Sequence, residues 1–554
     1  MKKLFTTVCV AATLGLLTSC GTQTAPERTY NEGINIIPMP ASLQQQEGRF
    51  LLSSSSSFYA PTPEAKTIAE FFAAKLKNST GFNFAIADAE KDGGISLLID
   101  PAMEINEEGY RLDVTPQGVK IQAKTPQGVF YGMQSFLQLL PAEVESPSVV
   151  KNIEWSAPCV SIDDAPRFAY RGMMLDPCRH FIPVENVKKQ LDVLSLFKIN
   201  TFHWHLTDDQ GWRIEIKKYP RLTEVGSVRA GSYDTNFSGE QCDVYHEGPY
   251  GGFYTQDQIR EIVKYAQDRH IVTVPEIEIP GHSVAALASY PWLGCTGGPY
   301  EVRQQWGISK DVMCIGKETT WEFCRNVLEE VCELFPGDMI HIGGDEAPRE
   351  RWAECPDCQA LMKKEGMTSE AQLQSHITSK VEEFMATKGK RIIGWDEVLE
   401  GGVSKSCVVM SWAKGSEGGQ KAAALGNDVI MTDKYHCYFD CYQTESREGE
   451  LFAHRRSVPL EKVWSYNPVG GMDENAASHV LGVQCNTWTE HLSAIERVYF
   501  MNLPRMAALA EVAWSKPETL SGYQDFLQRM IAAYLPIYQA AGWNYAEFYK
   551  QDIK

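Results

Sequence analysis

The 554-residue sequence predicts an α/β fold, a (β/α)8 TIM barrel preceded by a small α+β domain. Three observations predict it. Beyond Pro166, eight short apolar segments alternate with amphipathic helical stretches, which is the rhythm of repeated parallel βαβ units. Acidic and indole side chains collect directly after those segments, where a barrel presents its functional groups. Before Pro166 the pattern is of short alternating strands broken by tight turns.

Taken from the start, Lys2 and Lys3 precede an apolar run over residues 4–17, the form of a secretory signal and too short to span a bilayer. Leu17-Thr-Ser-Cys20 resembles a bacterial lipobox, which implies cleavage before Cys20 and lipid on its thiol. Residues 1–20 are thus read as a lipoprotein signal peptide and the polar stretch 21–33 as a tether. The expected location is the cell envelope, lipid-anchored, in the periplasm or on the outer-membrane surface.

Residues 34–155 read as the α+β domain. Tyr110-Arg-Leu-Asp-Val114 and Val119-Lys-Ile-Gln-Ala123 flank Pro116-Gln-Gly118, a hairpin pattern, and helical patterns lie near 65–76 and 131–140. No catalytic constellation occurs there. Residues 156–554 read as the catalytic barrel with C-terminal helices. Its strands are placed at 170–176, 201–206, 271–276, 339–343, 391–395, 408–412, 428–432 and 481–485. The helix after the first strand carries Val187, Leu191 and Leu194 on one face, and further helices fall at 255–268, 322–335 and 370–388. A doubly wound open sheet is the alternative, but the Gly-rich phosphate turn it usually carries after its first strand is missing.

Charge narrows the partners. Lys and Arg number 52 against 71 Asp and Glu, and a net charge of -19 repels nucleic-acid backbones and anionic membrane surfaces. Membrane contact is therefore expected only through the lipid anchor. Setting Cys9 and Cys20 aside leaves an odd number of cysteines, so at least one thiol is free. Cys295 and Cys314 flank a Gly-rich loop and could bridge it. Cys355-Pro-Asp-Cys358 has metal-knuckle spacing, but no second CxxC follows. His203 and His205 point the same way from one strand without a matching third ligand, which favours core packing. Neither a metal nor a cofactor is expected.

After the successive strands come Asp176 and Arg179; Asp208 and Asp209; Glu278 and His282; Asp345 and Glu346; Trp395 and Asp396; Trp412; Tyr438 and Asp440; Trp488 and Glu490. Carboxylates bind hydroxyls while aromatic faces cover the apolar C–H surfaces of a sugar ring. A glycan is the indicated partner. In His341-Ile-Gly-Gly-Asp-Glu346 the glycines permit a turn that lets both acids serve one pocket. Adjacent carboxylates disfavour each other's ionisation, giving one acid and one anion, the pair that glycoside cleavage uses. The structural alternative is an Asp-Glu pair capping a helix near Ala347-Pro348.

Four segments resemble glycoside hydrolase family 20, the β-N-acetylhexosaminidases: Arg171-Gly-Met-Met-Leu-Asp-Pro-Cys-Arg-His-Phe181, His203-Trp-His-Leu-Thr-Asp-Asp-Gln-Gly-Trp-Arg213, His341-Ile-Gly-Gly-Asp-Glu346 and Asn486-Thr-Trp-Thr-Glu490. Pro280-Gly-His282 and Gly394-Trp-Asp396 join them, and Ile37-Pro-Met-Pro40 with Tyr131-Gly132 extends the likeness less specifically into the first domain. The resemblance implies exo-hydrolysis of terminal GlcNAc or GalNAc with retention, in which the substrate's 2-acetamido oxygen attacks C1 and forms an oxazolinium ion. It implies Glu346 as acid and then base, Asp345 as the carboxylate holding the acetamido N–H, and Asp208 with His282 as a pair tuning Glu346. It implies Arg179 and Glu490 on the outer hydroxyls, Trp395, Trp412 and Trp488 around the acetamido group, Tyr438 on its oxygen, and Asp440 on a hydroxyl or the linking region. Trp306, between Cys295 and Cys314, is placed on the aglycone side. Other readings of the same motifs are a disaccharide-releasing, lacto-N-biosidase-like hydrolase and a non-catalytic glycan-binding lipoprotein.

Overall fold

The computed structural model describes residues 34–233 and 245–553. The signal segment, the tether and Cys20 lie outside the described residues.

Eight parallel strands close into a barrel in chain order: β1 (Tyr170–Leu175), β2 (Thr201–His205), β3 (Val272–Glu276), β4 (Met339–His341), β5 (Arg391–Trp395), β6 (Val408–Ser411), β7 (Val429–Met431) and β8 (Val480–Thr487). Every strand overlaps its expected position. All residues of β1 and β2 are buried, including the polar Arg171, His203 and His205 that these strands carry. Strand β8 closes the ring on β1 over six residue pairs, from Gly482 beside Tyr170 to Thr487 beside Leu175.

The surrounding helices begin where local chemistry allows. The helix Val184–Leu196 buries Val187, Leu191 and Leu194, and Thr255 starts Gln256–Gln267 with a full capping box. Glu318–Leu334 and Ala371–Thr387 follow β3 and β4. Among the described residues no helix is long and apolar enough to cross a membrane.

In front of the barrel stands a seven-stranded mixed sheet, ordered Ser42–Leu51, Ser156–Asp164, Tyr110–Thr115, Gly118–Ala123, Gly94–Ile99, Ser57–Tyr59, Ala85–Ala87. The hairpin around Pro116-Gln117 is present, with Thr115 paired to Gly118. Both helices open on Thr-Pro. Thr62 and Thr125 cap the backbone N–H groups of Ala65 and Gly128, each at 3.2 Å, with the proline in the first turn. That signal sets the second helix at Pro126–Leu139, five residues ahead of the sequence-based position. The domain limit at residue 155 also needs correcting. Ser156–Asp164 is hydrogen-bonded into this sheet along both edges, so the first domain runs through Asp164.

The two domains share a buried ionic joint. Lys198, at the end of the first barrel helix, lies 3.2 Å from Asp164 with neither side chain exposed. Asp164 also takes the Tyr110 hydroxyl at 2.6 Å and the Trp514 indole N–H at 3.0 Å. Beside it, Arg171 of β1 forks onto Glu108, and its guanidinium lies 4.9 Å from the Trp514 ring. Burial pulls the Lys198 amine down to about 8, against the pull of Asp164. Removing one partner of such a pair strands the other charge, so Asp164→Ala is expected to cost about 3–5 kcal/mol. Thermal unfolding should show a fall in Tm of several degrees; an unchanged Tm contradicts this account of the joint.

Candidate active site

The turn after β4 builds the centre. Gly343 and Gly344 adopt φ of +66° and +94°, and Glu346 itself sits at +44°. A Cβ on Gly343 would stand 1.9 Å from Glu278 Oε2, so any larger residue would have to displace that carboxylate besides adopting a backbone angle that favours glycine. The reversal brings Asp345 and Glu346 into one cavity, each with a carboxylate oxygen 3.6 Å from His282 Nε2. The helix-capping alternative fails, because the next helix, Glu350–Glu354, starts at Arg349 without a side-chain cap.

Behind the pair runs a buried chain of alternating charges. Glu276, ending β3, touches His205 Nδ1, and His205 Nε2 lies 2.8 Å from Asp208 Oδ2. Asp208 also contacts Arg179 Nη2 at 2.8 Å and His282 Nδ1 at 3.2 Å. Burial alone would push both carboxyls up. The imidazoles His341, His205 and His203 hold Glu276 well below the usual carboxylate range, and Arg179 with His282 does the same for Asp208. Against the effect of burial, Glu276 and Asp208 raise His205 to about 10, while Asp208 and Asp345 lift His282 well above the usual imidazole value. Two imidazolium ions thus alternate with two carboxylates up to the foot of Asp345 and Glu346.

His203 is different. Burial drops it to about 4, and its Nδ1 accepts from Gln484 Nε2 at 3.0 Å, which leaves a proton on the Nε2 that faces Glu276 at 3.0 Å. It lies in the barrel core beside His341, ring to ring at 4.6 Å.

Burial also pushes the Asp345 carboxyl up to about 6, with His282 opposing and the charge of Glu346 adding. The sequence points to repulsion between neighbours; loss of hydration is the larger cause. The two side chains differ in depth, 33% exposed for Glu346 against 11% for Asp345.

The cavity above them has a volume of about 680 Å³. Arg179, His282, Asp345, Glu346, Trp395, Trp412, Tyr438, Asp440, Trp488 and Glu490 all border it, while Asp208 stands behind. Trp395 forms the floor, fixed by its indole N–H to Glu276 at 2.8 Å. Trp412 stacks parallel to Tyr438 at 6.1 Å, and Trp488 closes the wall 6.1 Å from Trp395 and 6.4 Å from Tyr438. Arg179 lies 5.0 Å from the Trp488 ring, pinned by Asp176 and Gln210, with Nη1 3.6 Å from Glu490. Asp345 Oδ1 and Asp440 Oδ1 are buried and have no partner among the described residues. Such oxygens are open acceptors for a ligand N–H or hydroxyl.

Known proteins resemble this chain over both domains. The model of the glycosyl hydrolase family 20 catalytic domain matches residues 168–517, and that of the family's domain 2 matches residues 33–165. The chain belongs to glycosyl hydrolase family 20. A β-hexosaminidase of Porphyromonas gingivalis is 44% identical over 96% of this chain and 67% of its own length. Among solved structures, a variant of the Streptomyces plicatus β-hexosaminidase in complex with the product GlcNAc superposes with a TM-score of 0.80 at 30% identity, covering 93% of this chain and 96% of that one. The exo-β-N-acetylglucosaminidase of Vibrio harveyi in complex with N-acetylglucosamine gives 0.82 at 32%, over 95% and 80%.

Within this family-20 site several residues escape sequence reading. Glu276 reads as a strand residue, yet it anchors the charge chain and the floor tryptophan. Glu278, which the sequence does place after the third strand but without a role, is buried with both carboxylate oxygens unpartnered among the described residues, and burial followed by the charge of Asp345 holds it well above the usual range. Glu397 accepts the Trp412 indole N–H at 3.0 Å and is pushed up to about 9, by burial and then by Asp345. Its signal was its place beside Asp396, which itself turns away toward Ser411. Lys434, Arg455 and Arg456 border the opening, a local cationic rim on an acidic protein.

Asp345 at about 6 sets an acid limb. If it acts as an anion, kcat/KM falls about tenfold per pH unit once the pH drops below that value. The pH–rate profile of the Asp345→Asn variant should lack this limb. A wild-type rate that stays level across it contradicts the assignment.

Proposed function

We propose that the protein is an exo-acting β-N-acetylhexosaminidase that removes terminal non-reducing GlcNAc or GalNAc from glycans by substrate-assisted, retaining hydrolysis. The observation that carries this reading is the unequal pair: Asp345 deep with an Oδ1 unpartnered among the described residues, Glu346 at the opening, both 3.6 Å from the one imidazolium beneath them.

The steps follow from that placement. With the sugar on Trp395, the acetamido N–H donates to the Asp345 carboxylate, and the Tyr438 hydroxyl donates to the acetamido oxygen and aims it at C1. Burial holds the Tyr438 phenol well above its usual value, so it remains a donor. The acetamido oxygen forms its bond to C1 as the C1–O bond to the aglycone breaks, and Glu346 gives its proton to the leaving oxygen. Positive charge on the oxazolinium strengthens the contact to Asp345, which is therefore worth more in the transition state than in the ground state. Water then adds to C1 as the bond from C1 to the acetamido oxygen breaks and the acetamide is regenerated; the water's proton passes to Glu346, and the β configuration is restored. Arg179, Glu490 and Asp440 hold ring hydroxyls; Asp208 and His282 keep Glu346 in place. A non-catalytic glycan-binding role is disfavoured, because both acids occupy the cavity with the aromatic wall complete.

We further propose export and lipid anchoring at Cys20 in the cell envelope, supported by the Leu17-Thr-Ser-Cys20 segment.

Glu346→Gln should lower kcat/KM for poor leaving groups by about a thousandfold and for activated aryl glycosides far less. Asp345→Asn should lower kcat at least about a hundredfold whatever the leaving group. Aryl β-glucosides without the 2-acetamido group should be nearly inert. Steady-state kinetics on matched aryl substrates decide this; full activity in either variant, or fast glucoside hydrolysis, overturns the reading.

A further inference from the structure

Away from the sugar cavity four cysteines converge. Cys295 and Cys314 delimit the loop that follows β3 and its short helix Val284–Ser289; Cys355 and Cys358 open the helix Pro356–Glu365 beyond β4. Cys314 Sγ lies 3.6 Å from Cys355 Sγ and 3.7 Å from Cys358 Sγ, and Cys295 Sγ lies 3.9 Å from Cys358 Sγ. All four sulfurs fall within 4.8 Å of one another, three of them buried. The bridge expected between Cys295 and Cys314 is not formed, and all cysteines among the described residues are free. A disulfide needs a sulfur separation of about 2.05 Å. A tetrahedron with Zn–S bonds of about 2.3 Å has sulfur–sulfur edges of about 3.8 Å, close to the three separations above.

We propose that Cys295, Cys314, Cys355 and Cys358 bind one Zn²⁺ as a structural four-thiolate site. The surroundings favour thiolates. Cys355 is the N-cap of a ten-residue helix and Cys358 lies in its first turn, so both sulfurs sit at the positive end of the helix, and the Cys355 side chain is not spent on capping. Gly316 packs directly against the Asp357–Cys358 peptide and has room there only because it lacks a side chain, since a Cβ would stand 2.1 Å from the Asp357 carbonyl carbon and 2.4 Å from Cys358 N. Lys317 reaches back to the Gly294 carbonyl at 2.8 Å, which places a cation next to Cys295.

Binding replaces four thiol protons with one Zn²⁺, giving a dianionic centre without any change of oxidation state. With four protein sulfurs the coordination is complete, so the metal organises structure and performs no hydrolysis. Its position gives it a task. The loop between Cys295 and Cys314 carries Trp306, Gly307 and Ile308 to the edge of the sugar cavity, and the other two cysteines lie shortly after Glu346 in the chain. The metal would therefore clamp the Trp306 wall to the segment leaving the catalytic pair. Arg351 with Asp311 at 2.7 Å and Trp352 with the Met313 carbonyl at 2.9 Å run alongside.

Metal analysis of the full chain, purified anaerobically without chelator and supplied with Zn²⁺, should find about one zinc per chain. Replacement by Co²⁺ should produce thiolate-to-cobalt charge-transfer absorption. Cys314→Ser and Cys355→Ser should lower bound zinc about tenfold or more, whereas Cys332→Ser, outside the cluster, should keep it. If the cluster variants fail to fold, the wild type still decides: denaturation with chelator should release one zinc together with four newly reactive thiols from these positions. Zinc below about a tenth of an equivalent in the wild type, or peptide masses showing the four cysteines paired as disulfides, overturns the proposal.

Discussion

Asp208 is a fully buried carboxylate held by Arg179, His205 and His282, and the rest of the active site depends on that arrangement. A carboxylate without water is costly by several kcal/mol unless cations and donors surround it. Its partners come from three successive strand ends, β1, β2 and β3. They can meet only if those ends stand level, so the charge balance enforces the barrel geometry that the chemistry requires. The consequences run outward: Arg179, fixed by Asp208, faces Trp488 and Glu490, while His282, fixed by Asp208, stands beneath Asp345 and Glu346.

From that base the turn at Gly343 and Gly344 assigns unequal depths to two adjacent acids. Depth separates their work. The deeper Asp345 loses hydration, rises to about 6 and offers an open oxygen; the shallower Glu346 lies where a leaving group and a water can reach it. The first domain takes no part in the cavity but is joined to the barrel through Asp164, Lys198 and Trp514, so it braces β1 and its helix.

Much of this was legible in the sequence because barrel strands buried on both faces read as apolar runs, and functional side chains follow them at once. Elements that resist reading do so for identifiable reasons. Ser42–Leu51 is a polar, mostly exposed edge strand with no apolar face to detect. Ser156–Asp164 follows directly on a stretch of loop and precedes the barrel, so its membership is set by partners more than forty residues away in sequence. The depth of Asp345 and the hub at Glu276 arise from contacts across the barrel. The cysteine cluster is the clearest case, since Cys355-Pro-Asp-Cys358 finds its complement in two cysteines that are themselves far apart in the chain.

The central claim is that the nucleophile belongs to the substrate. It is tested most directly by measuring kcat for aryl glycosides whose N-acetyl group carries none, one, two or three fluorines. Fluorine withdraws electrons from the acetamido oxygen and leaves the glycosidic bond in place. Substrate assistance predicts a steep, progressive fall in kcat along the series; a rate independent of fluorination would mean that a protein group attacks C1 and would contradict the account.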